Sequence, residues 1–194
     1  MAEGLRERRR HTTRAALERA ALELFARDGF DSTTVEAIAA EAGVSPRTFF
    51  RYFTAKDEVL APQRELRQAD LRRAVLEVRT TEAGDLEVAL AALTRIAATF
   101  EAERETMLLR RRAAVTSPVL RGRLGDVLRS WEHAVGDALA ERRGVSPDDL
   151  QAQVCATAAI AVWQHAVQRW LADDGVDEDL TGHLTAALAA LRRG

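Results

Sequence analysis

Apolar residues recur at every third or fourth position along most of the chain, and short groups of glycine, proline and capping residues interrupt this spacing. The period is that of an α-helix with one buried face. The interruptions divide the chain into nine such segments, and none shows the alternating pattern of a strand. The chain has only four prolines in 194 residues. The sequence therefore predicts an all-α protein.

Three short or medium helices are predicted in the first fifty-odd residues. The first covers about residues 13–28. The second begins at a capping box formed by Thr33 and Glu36 and ends near Gly43. A third helix is expected over about residues 46–53, because Ser45 can cap it and Pro46 suits its first position.

A longer fourth helix is predicted from a second capping box, Thr54 with Asp57, through Val75, and its apolar pattern fades near residues 80–81. Five more follow, and Ser146 is the expected cap of the eighth. These five cover about residues 86–100, 107–115, 120–143, 147–171 and 180–191. We expect an N-terminal domain over residues 1–56 and a C-terminal domain over residues 57–194.

Charge and cysteine content exclude several classes of protein. The formal net charge is -2 from 28 basic and 30 acidic residues, so bulk charge identifies no partner. The single Cys155 cannot form an internal disulfide. No secretory signal is recognisable, and the longest apolar stretch, residues 154–163, is about half of the ~20 residues that a membrane span needs. We expect a cytoplasmic protein that does not enter the membrane.

The second and third helices are separated by a tight turn at residues 43–45, as in a helix-turn-helix. In that motif a short helix, held by apolar contacts, places its free face in the DNA major groove. Arginine reads guanine edges, threonine and phenylalanine contact thymine methyl groups, and tyrosine binds phosphate. The free face of the third helix would carry Arg47, Thr48, Phe50, Arg51 and Tyr52.

Four stretches of sequence, 33–39, 42–45, 48–53 and 56–58, resemble the DNA-binding domain of the TetR family of bacterial transcriptional regulators. The likeness covers about residues 12–60. It implies a homodimeric repressor that binds a double-stranded DNA operator and has a C-terminal domain for a small effector and for dimerisation. The recognition-helix variant is similar to that of mycofactocin-system regulators, which implies acyl-CoA-like effectors.

Carried over by position, the resemblance implies contacts with phosphates or bases for eight residues: Thr34, Ser45, Arg47, Thr48, Phe50, Arg51, Tyr52 and Lys56. Two positions depart from the family pattern. Pro46 stands where many members have a basic residue, and Phe50 stands where many have tyrosine. Since Phe50 has lost a hydroxyl, we expect Arg47 and Arg51 to contribute more. Lys56, the chain's only lysine, is expected at a phosphate.

Large side chains on the C-terminal helices are candidates for an effector pocket, and each is equally compatible with an ordinary core. The pocket candidates are Phe100, Met107, Leu108, Trp131 and Trp163. A second set lies along the eighth and ninth helices and is a candidate for an isologous four-helix dimer interface. This set comprises Ile160, Val167, Trp170, Leu184, Leu188 and Leu191.

Two groups of arginines allow alternatives. One is an N-terminal arm that either follows DNA phosphates or is simply solvated; it comprises Arg6, Arg8, Arg9, Arg10 and Arg14. For the run Arg110–Arg112 there are also alternatives. It either contacts an anionic ligand or the DNA-binding unit, or it forms a solvated helix face.

The sequence shows no set of residues suited to catalysis. His133, His165 and His183 share no helical spacing with one another or with Cys155, so neither a metal site nor a cofactor is expected. The chain also lacks paired acids and bases and a phosphate-binding glycine loop, which argues against an enzyme. The remaining alternative to a DNA-binding regulator is a helical scaffold whose N-terminal unit binds protein.

Overall fold

The computed structural model describes residues 2–61, 64–79, 83–172 and 179–193, with side chains from residue 8 onward. Within these ranges the chain forms nine α-helices and one short 3-10 helix and no strand, so the all-α prediction is confirmed. The helices are α1 Ala2–Asp28, α2 Val35–Glu41, α3 Pro46–Phe50, the 3-10 helix Lys56–Leu60, α4 Arg64–Leu76, α5 Asp85–Glu101, α6 Arg104–Thr116, α7 Pro118–Arg143, α8 Leu150–Ala172 and α9 Leu180–Arg193.

The chain divides into two compact units. The first unit comprises Met1–Pro62 and Glu105–Asp126, and the second comprises Gln63–Arg104 and Val127–Gly194. Most of α6 and the start of α7 therefore belong with the N-terminal helices. The domain boundary between residues 56 and 57 stays a prediction.

The first unit is built around one cluster of apolar side chains. Three phenylalanines, Phe25, Phe49 and Phe53, are at most 2% exposed and lie at its centre. The later chain stretch contributes Ala113, Ala114 and Leu120. The cluster is completed by Leu17, Ala20, Ala21, Leu22, Leu24, Phe30, Ile38, Val59 and Leu60.

Ion pairs also join the two stretches of the first unit, among them an exposed one between Arg19 and Glu105 at 3.0 Å. Glu18 pairs with Arg110, and both side chains are mostly buried. Asp57 pairs with Arg123 at 2.9 Å. Since breaking a buried pair leaves an uncompensated charge, the Glu18–Arg110 pair fixes α6 against α1.

The core of the second unit lies between α4, α5, α8 and α9, with α8 packed along α9. An aromatic group occupies one part of it. The ring of Phe100 lies 4.9 Å from that of Trp163 and 5.6 Å from that of Trp131, in edge-to-face arrangements. Such arrangements are the favoured geometry of aromatic pairs.

The predicted start of α1 near residue 13 was wrong, because the helix begins at Ala2. The apolar period marks only the part of the helix that packs on the core. Residues 8–12 are polar and exposed, and the hydroxyls of Thr12 and Thr13 donate to the carbonyls of Arg8 and Arg9 within the helix.

The single fourth helix predicted from Thr54 to Val75 was also wrong. Residues 56–60 form a 3-10 helix, and α4 begins at Arg64. The residue before a proline avoids the helical region, and Ala61, which precedes Pro62 in the sequence, has an extended φ of -138°. The apolar spacing continued across this break, whereas the helix did not.

Two predicted caps shift, by one and by three residues. Thr34, rather than Thr33, caps α2 by accepting from the Ala37 amide at 3.1 Å. Asp149, rather than Ser146, accepts from the Ala152 amide at 3.0 Å at the start of α8. In both cases several suitable cap residues are adjacent in the sequence, and packing decides between them.

The partner of Thr54 also differs from the prediction. Its amide and its hydroxyl both donate to Glu58, at 2.7 and 2.6 Å, and not to Asp57. These hydrogen bonds hold the pKa of the Glu58 carboxyl below its ordinary value, and the one from the Thr54 hydroxyl has the largest effect. Asp57 is instead the partner of Arg123.

Candidate nucleic-acid interface and small-molecule cavity

The turn that carries α3 forms as the sequence predicts. Gly43 has a φ of +67°, in the left-handed region that glycine adopts without strain. The Val44 amide then donates to the Ala39 carbonyl at 2.9 Å. Ser45 caps α3 by accepting from the Thr48 amide at 3.2 Å, and Pro46 occupies the first position of the helix. The chain therefore leaves α2 and enters α3 within three residues.

One face of α3 is fixed in the core, and the other is free. Phe49 is 0% exposed, and its ring lies 5.4 Å from that of Phe53. Arg47 and Arg51 are exposed, and they lie four residues apart on one helical face. Phe50 is 56% exposed although it is fully apolar. A buried anchor opposite two exposed arginines is the arrangement that major-groove reading requires.

Tyr52 lies between these two environments. It is partly buried against the apolar cluster of the first unit. The guanidinium of Arg51 lies 5.2 Å from the centre of its ring, which restricts the arginine at the end of α3. A stacked guanidinium loses less conformational freedom on binding.

Two of the hydroxyl residues predicted at the interface are helix caps. Thr34 is exposed and caps α2, and Ser45 is exposed and caps α3. The hydroxyl of Ser45 also lies 3.1 Å from that of the partly buried Thr48. A capping hydroxyl accepts from the backbone, so its own O–H is left to donate.

Lys56 differs from the other seven candidates because its ammonium is engaged inside the first unit. Its Nζ donates to the carbonyls of Phe30 and Thr33, at 2.6 and 2.9 Å. It also lies 4.2 Å from the centre of the Phe30 ring. No local sequence pattern predicts this arrangement, since these partners are more than twenty residues away.

The arginines of the predicted arm lie on α1. Arg8, Arg9 and Arg10 are exposed, whereas Arg14 is partly buried with its guanidinium 5.2 Å from the centre of the Phe53 ring. The side chain of Arg6 lies outside the described residues. Arg14 therefore belongs to the packing of the first unit.

The run Arg110–Arg112 separates in the same way. Arg110 is paired with Glu18 within the first unit, and Arg111 and Arg112 are exposed. The first arginine of the run therefore has a structural role, and the other two lie on a solvated helix face.

A cavity of about 220 Å³ lies in the second unit between α4, α5 and α7. Leu71, Ala74, Ile96, Phe100 and Trp131 form its apolar walls. The polar residues around it are Arg67, Asp70, Arg73, Glu77, Arg95 and Thr99.

Each arginine at the cavity is held by a carboxylate. Arg95 pairs with Glu77 at 2.8 Å, Arg73 pairs with Asp70, and Arg67 pairs with Glu103. The indole Nε1 of Trp131 is buried and has no hydrogen-bond acceptor among the described residues. Leaving a buried donor unsatisfied costs about 1–3 kcal/mol, so this indole stabilises the second unit less than one with an acceptor would.

The cavity brings together only some of the predicted pocket residues. Phe100 and Trp131 line it, and Trp163 packs behind Phe100. Met107 and Leu108 lie on α6 in the first unit and take no part in it. The charged residues of α4 were missed, although Arg67, Asp70, Arg73 and Glu77 recur at three- and four-residue spacing on one helix face.

No metal-binding arrangement is found in the described ranges. No three histidine, cysteine or carboxylate side chains there are grouped in a way that could hold a metal ion. Cys155 is partly buried rather than fully buried, and burial raises the pKa of its thiol. None of the described helices is long and apolar enough to cross a membrane.

Comparison with known proteins decides the family. Residues 18–61 match the N-terminal domain of bacterial regulatory proteins of the TetR family, and residues 84–194 match the MftR C-terminal domain. The MftR protein of Mycobacterium tuberculosis, described as a mycofactocin biosynthesis transcriptional regulator, is 31% identical over 191 residues, which are 96% of this chain and 93% of that protein.

The chain belongs to the TetR family. It is a TetR-family transcriptional regulator whose C-terminal part is of the MftR type. The resemblance seen in the sequence is confirmed, and the relatives are regulators rather than enzymes.

Two further comparisons are informative. The HTH-type transcriptional regulator TcmR of Streptomyces glaucescens is 52% identical over 77 residues, which cover 39% of this chain and 33% of TcmR. The crystal structure of Thermus thermophilus FadR, a TetR-family repressor in complex with lauroyl-CoA, has a TM-score of 0.55 and 27% identity and covers 93% of this chain and 94% of that one.

The residues predicted for a dimer interface of this TetR-family chain lie mostly inside its second unit. Ile160, Trp170 and Leu184 are at most 5% exposed. Val167 and Leu188 are partly buried, and Leu191 is 50% exposed. Their periodicity reflects the packing of α8 on α9, so the three buried residues are not available to a second protomer.

Proposed function

We propose that this TetR-family regulator is a repressor that acts in the bacterial cytoplasm, binds a pseudo-palindromic operator as a homodimer and is released by a small effector. The observation that carries the proposal is the two-sided α3, with Phe49 buried and Arg47 and Arg51 exposed. Helix-turn-helix dimers bind two half-sites, one per recognition helix.

In this proposal Arg47 and Arg51 read base edges, because both are exposed on the same face of α3. Phe50 and Thr48 contact thymine methyl groups, and the Phe50 side chain is 56% exposed although its ring also packs edge-on against that of Phe49. Phosphates are bound by hydroxyl groups at the edge of this face. These belong to Thr34, Ser45 and Tyr52.

The homodimer is supported by a stripe of exposed, uncharged residues along α8. Leu150 is 77% exposed and Val154 is 57% exposed. Thr157, Ala161 and His165 are also exposed and continue the stripe at three- and four-residue spacing. An uncharged stripe on an otherwise charged chain suits an isologous helix pairing. This face replaces the buried residues that the sequence had suggested.

The proposal is tested by selecting random DNA duplexes against the purified chain and footprinting the enriched sequence. We expect a pseudo-palindrome with half-sites about 34 Å apart or slightly more. The free protein should have about twice the mass of its 21.4 kDa chain in sedimentation. A monomer at micromolar concentration would contradict the dimer, and the absence of any enriched duplex would favour the protein-binding scaffold.

The effector is proposed to be amphipathic and acyl-CoA-like, and to bind in the cavity of the second unit. The support is the likeness to Thermus thermophilus FadR, whose structure holds lauroyl-CoA, together with the apolar walls and the arginines at this cavity. Small-molecule sites usually enclose about 300–1,000 Å³. A cavity of about 220 Å³ must therefore widen when it is filled.

Lauroyl-CoA should release the protein from its selected operator, whereas coenzyme A alone should not. The expected coupling is about 5- to 150-fold in operator affinity. Ile96→Trp, which fills the cavity, should keep operator binding and lose the release. Ala98→Trp, on an exposed position of the same helix, is the matched control and should respond like the parent. Equal release of both variants would exclude this cavity.

A further inference from the structure

The segment between α1 and α2 is held by a side chain from outside it. Lys56, at the start of the 3-10 helix, donates from Nζ to the carbonyls of Phe30 and Thr33, at 2.6 and 2.9 Å. The same ammonium lies 4.2 Å from the centre of the Phe30 ring. Two of its three N–H donors therefore have carbonyl acceptors, and an aromatic face lies beside them.

The segment is otherwise ordered by its own contacts. Phe30 is 8% exposed and packs edge-on against Phe25 with ring centres 5.1 Å apart. Thr33 is 4% exposed and donates from its hydroxyl to the Gly29 carbonyl at 2.7 Å. Without Lys56, the two carbonyls that it binds would lose their charged donor in a partly buried place. Hydrogen bonds to charged groups are among the stronger ones.

The contacts of Lys56 with residues 30–33 lie next to the start of the helix-turn-helix. Thr33 is followed directly by Thr34, whose side chain caps α2. From there the backbone continues through α2 and the tight turn at Gly43 into α3, so few backbone torsions between Thr34 and α3 can change. Where residues 30–33 are held therefore determines where α2 begins, and α3 follows from it.

We propose that Lys56 is a positioning residue for DNA binding, whose ammonium clamps residues 30–33 instead of neutralising a phosphate. This inference relies on the proposed DNA-binding function. It differs from the phosphate contact that the family resemblance implies for the same residue. The protein would bind through α3, and Lys56 would keep α2 and α3 in the competent arrangement.

The first test uses the free protein and no DNA. Because the chain has a single lysine, labelling with ¹⁵N-lysine gives one side-chain ammonium signal that needs no assignment. We expect an Nζ–H signal protected from exchange with water. In Lys56→Met the amides of Ala37 and Ile38, at the start of α2, should exchange faster than in the parent. An ammonium that exchanges as fast as free lysine, or unchanged amide exchange in the variant, would overturn the clamp.

The second test measures operator affinity as a function of salt. For Lys56→Met we expect affinity to fall about tenfold or more, with an unchanged slope of log Kd against log salt, because no phosphate contact is lost. Losing a phosphate contact would instead reduce the slope by about 0.9 for each phosphate. A reduced slope, or unchanged affinity, would overturn the proposal.

Lys56→Arg keeps the charge but replaces a compact ammonium with a planar guanidinium. It provides a second route if Lys56→Met fails to fold. A clamp predicts that Lys56→Arg also binds the operator weakly, whereas a phosphate contact predicts affinity near that of the parent. If the parent itself selects no duplex, the proposed function fails, and the exchange measurements on the free protein still decide whether residues 30–33 are clamped.

Discussion

Replacing Phe49 with alanine should lower the free energy of unfolding of the first unit by about 3–5 kcal/mol. The side chain is 0% exposed, and its ring lies between those of Phe50 and Phe53 at 5.5 and 5.4 Å. Its removal leaves a cavity where α3 is attached to the core. Operator binding should fall with stability, because α3 loses the anchor that holds its free face in place.

The matched control is the neighbouring residue. Phe50 is 56% exposed, so Phe50→Ala should change stability by less than about 1 kcal/mol. Denaturant unfolding, followed by exchange of the Ile38 and Phe53 amides, reports on this unit specifically. If Phe49→Ala and Phe50→Ala lowered the free energy of unfolding of this unit by the same amount, Phe49 would not be the anchor of α3.

Arg47→Ala and Arg51→Ala should each cost about 1–3 kcal/mol in operator affinity and relax the base preference at the positions they read. Both side chains are exposed, so neither change should alter the stability of the free protein by more than about 0.5 kcal/mol. In a homodimer each substitution removes two side chains from the complex. The double variant should therefore bind selected and random duplexes with nearly equal affinity.

Two further variants identify the kind of contact. Arg51→Lys keeps the positive charge and loses the bidentate geometry, so it should bind random DNA normally and lose preference for the operator. Arg192→Ala, an exposed arginine of α9, should leave binding unchanged. If Arg51→Ala weakened all sequences equally, the side chain would be bound to phosphate and the reading proposed for it would be wrong.

The helix-turn-helix could be predicted closely because its signals are local. Ser45 and Pro46 determine the start of α3 by capping chemistry and a preset φ, and Gly43 supplies the one left-handed residue of the turn. Each of these effects acts within four residues. The buried position of Phe49 also follows from helical spacing alone.

Predictions failed where two local signals competed or where a distant contact decided. Thr33 and Thr34 are both good caps, and the burial of Thr33 leaves the role to Thr34. Apolar residues continue at helical spacing through Val75, so the sequence did not indicate that the helix breaks before Pro62. For Lys56, the partners that occupy its ammonium lie in another segment of the chain, so no local pattern indicated them.

The cavity and the dimer face show the same limit. Phe100 and Trp131 line the cavity together with charged residues of α4, so its lining residues are spread over residues 67–131. The apolar stripes on α8 and α9 predicted a dimer interface, but periodicity cannot distinguish a protomer's own core from an interface, and Ile160, Trp170 and Leu184 are buried in the core.

The first unit is assembled from two separate stretches of chain, and this limits how the unit can be exchanged between related proteins. A segment ending at residue 62 would lack Ala113, Ala114 and Leu120 of the shared cluster and would leave the carboxylate of Glu18 without Arg110. Exchange of a contiguous N-terminal segment between relatives would therefore combine mismatched halves of one core. Change in operator specificity by recombination should be rarer than change by single substitutions on the exposed face of α3.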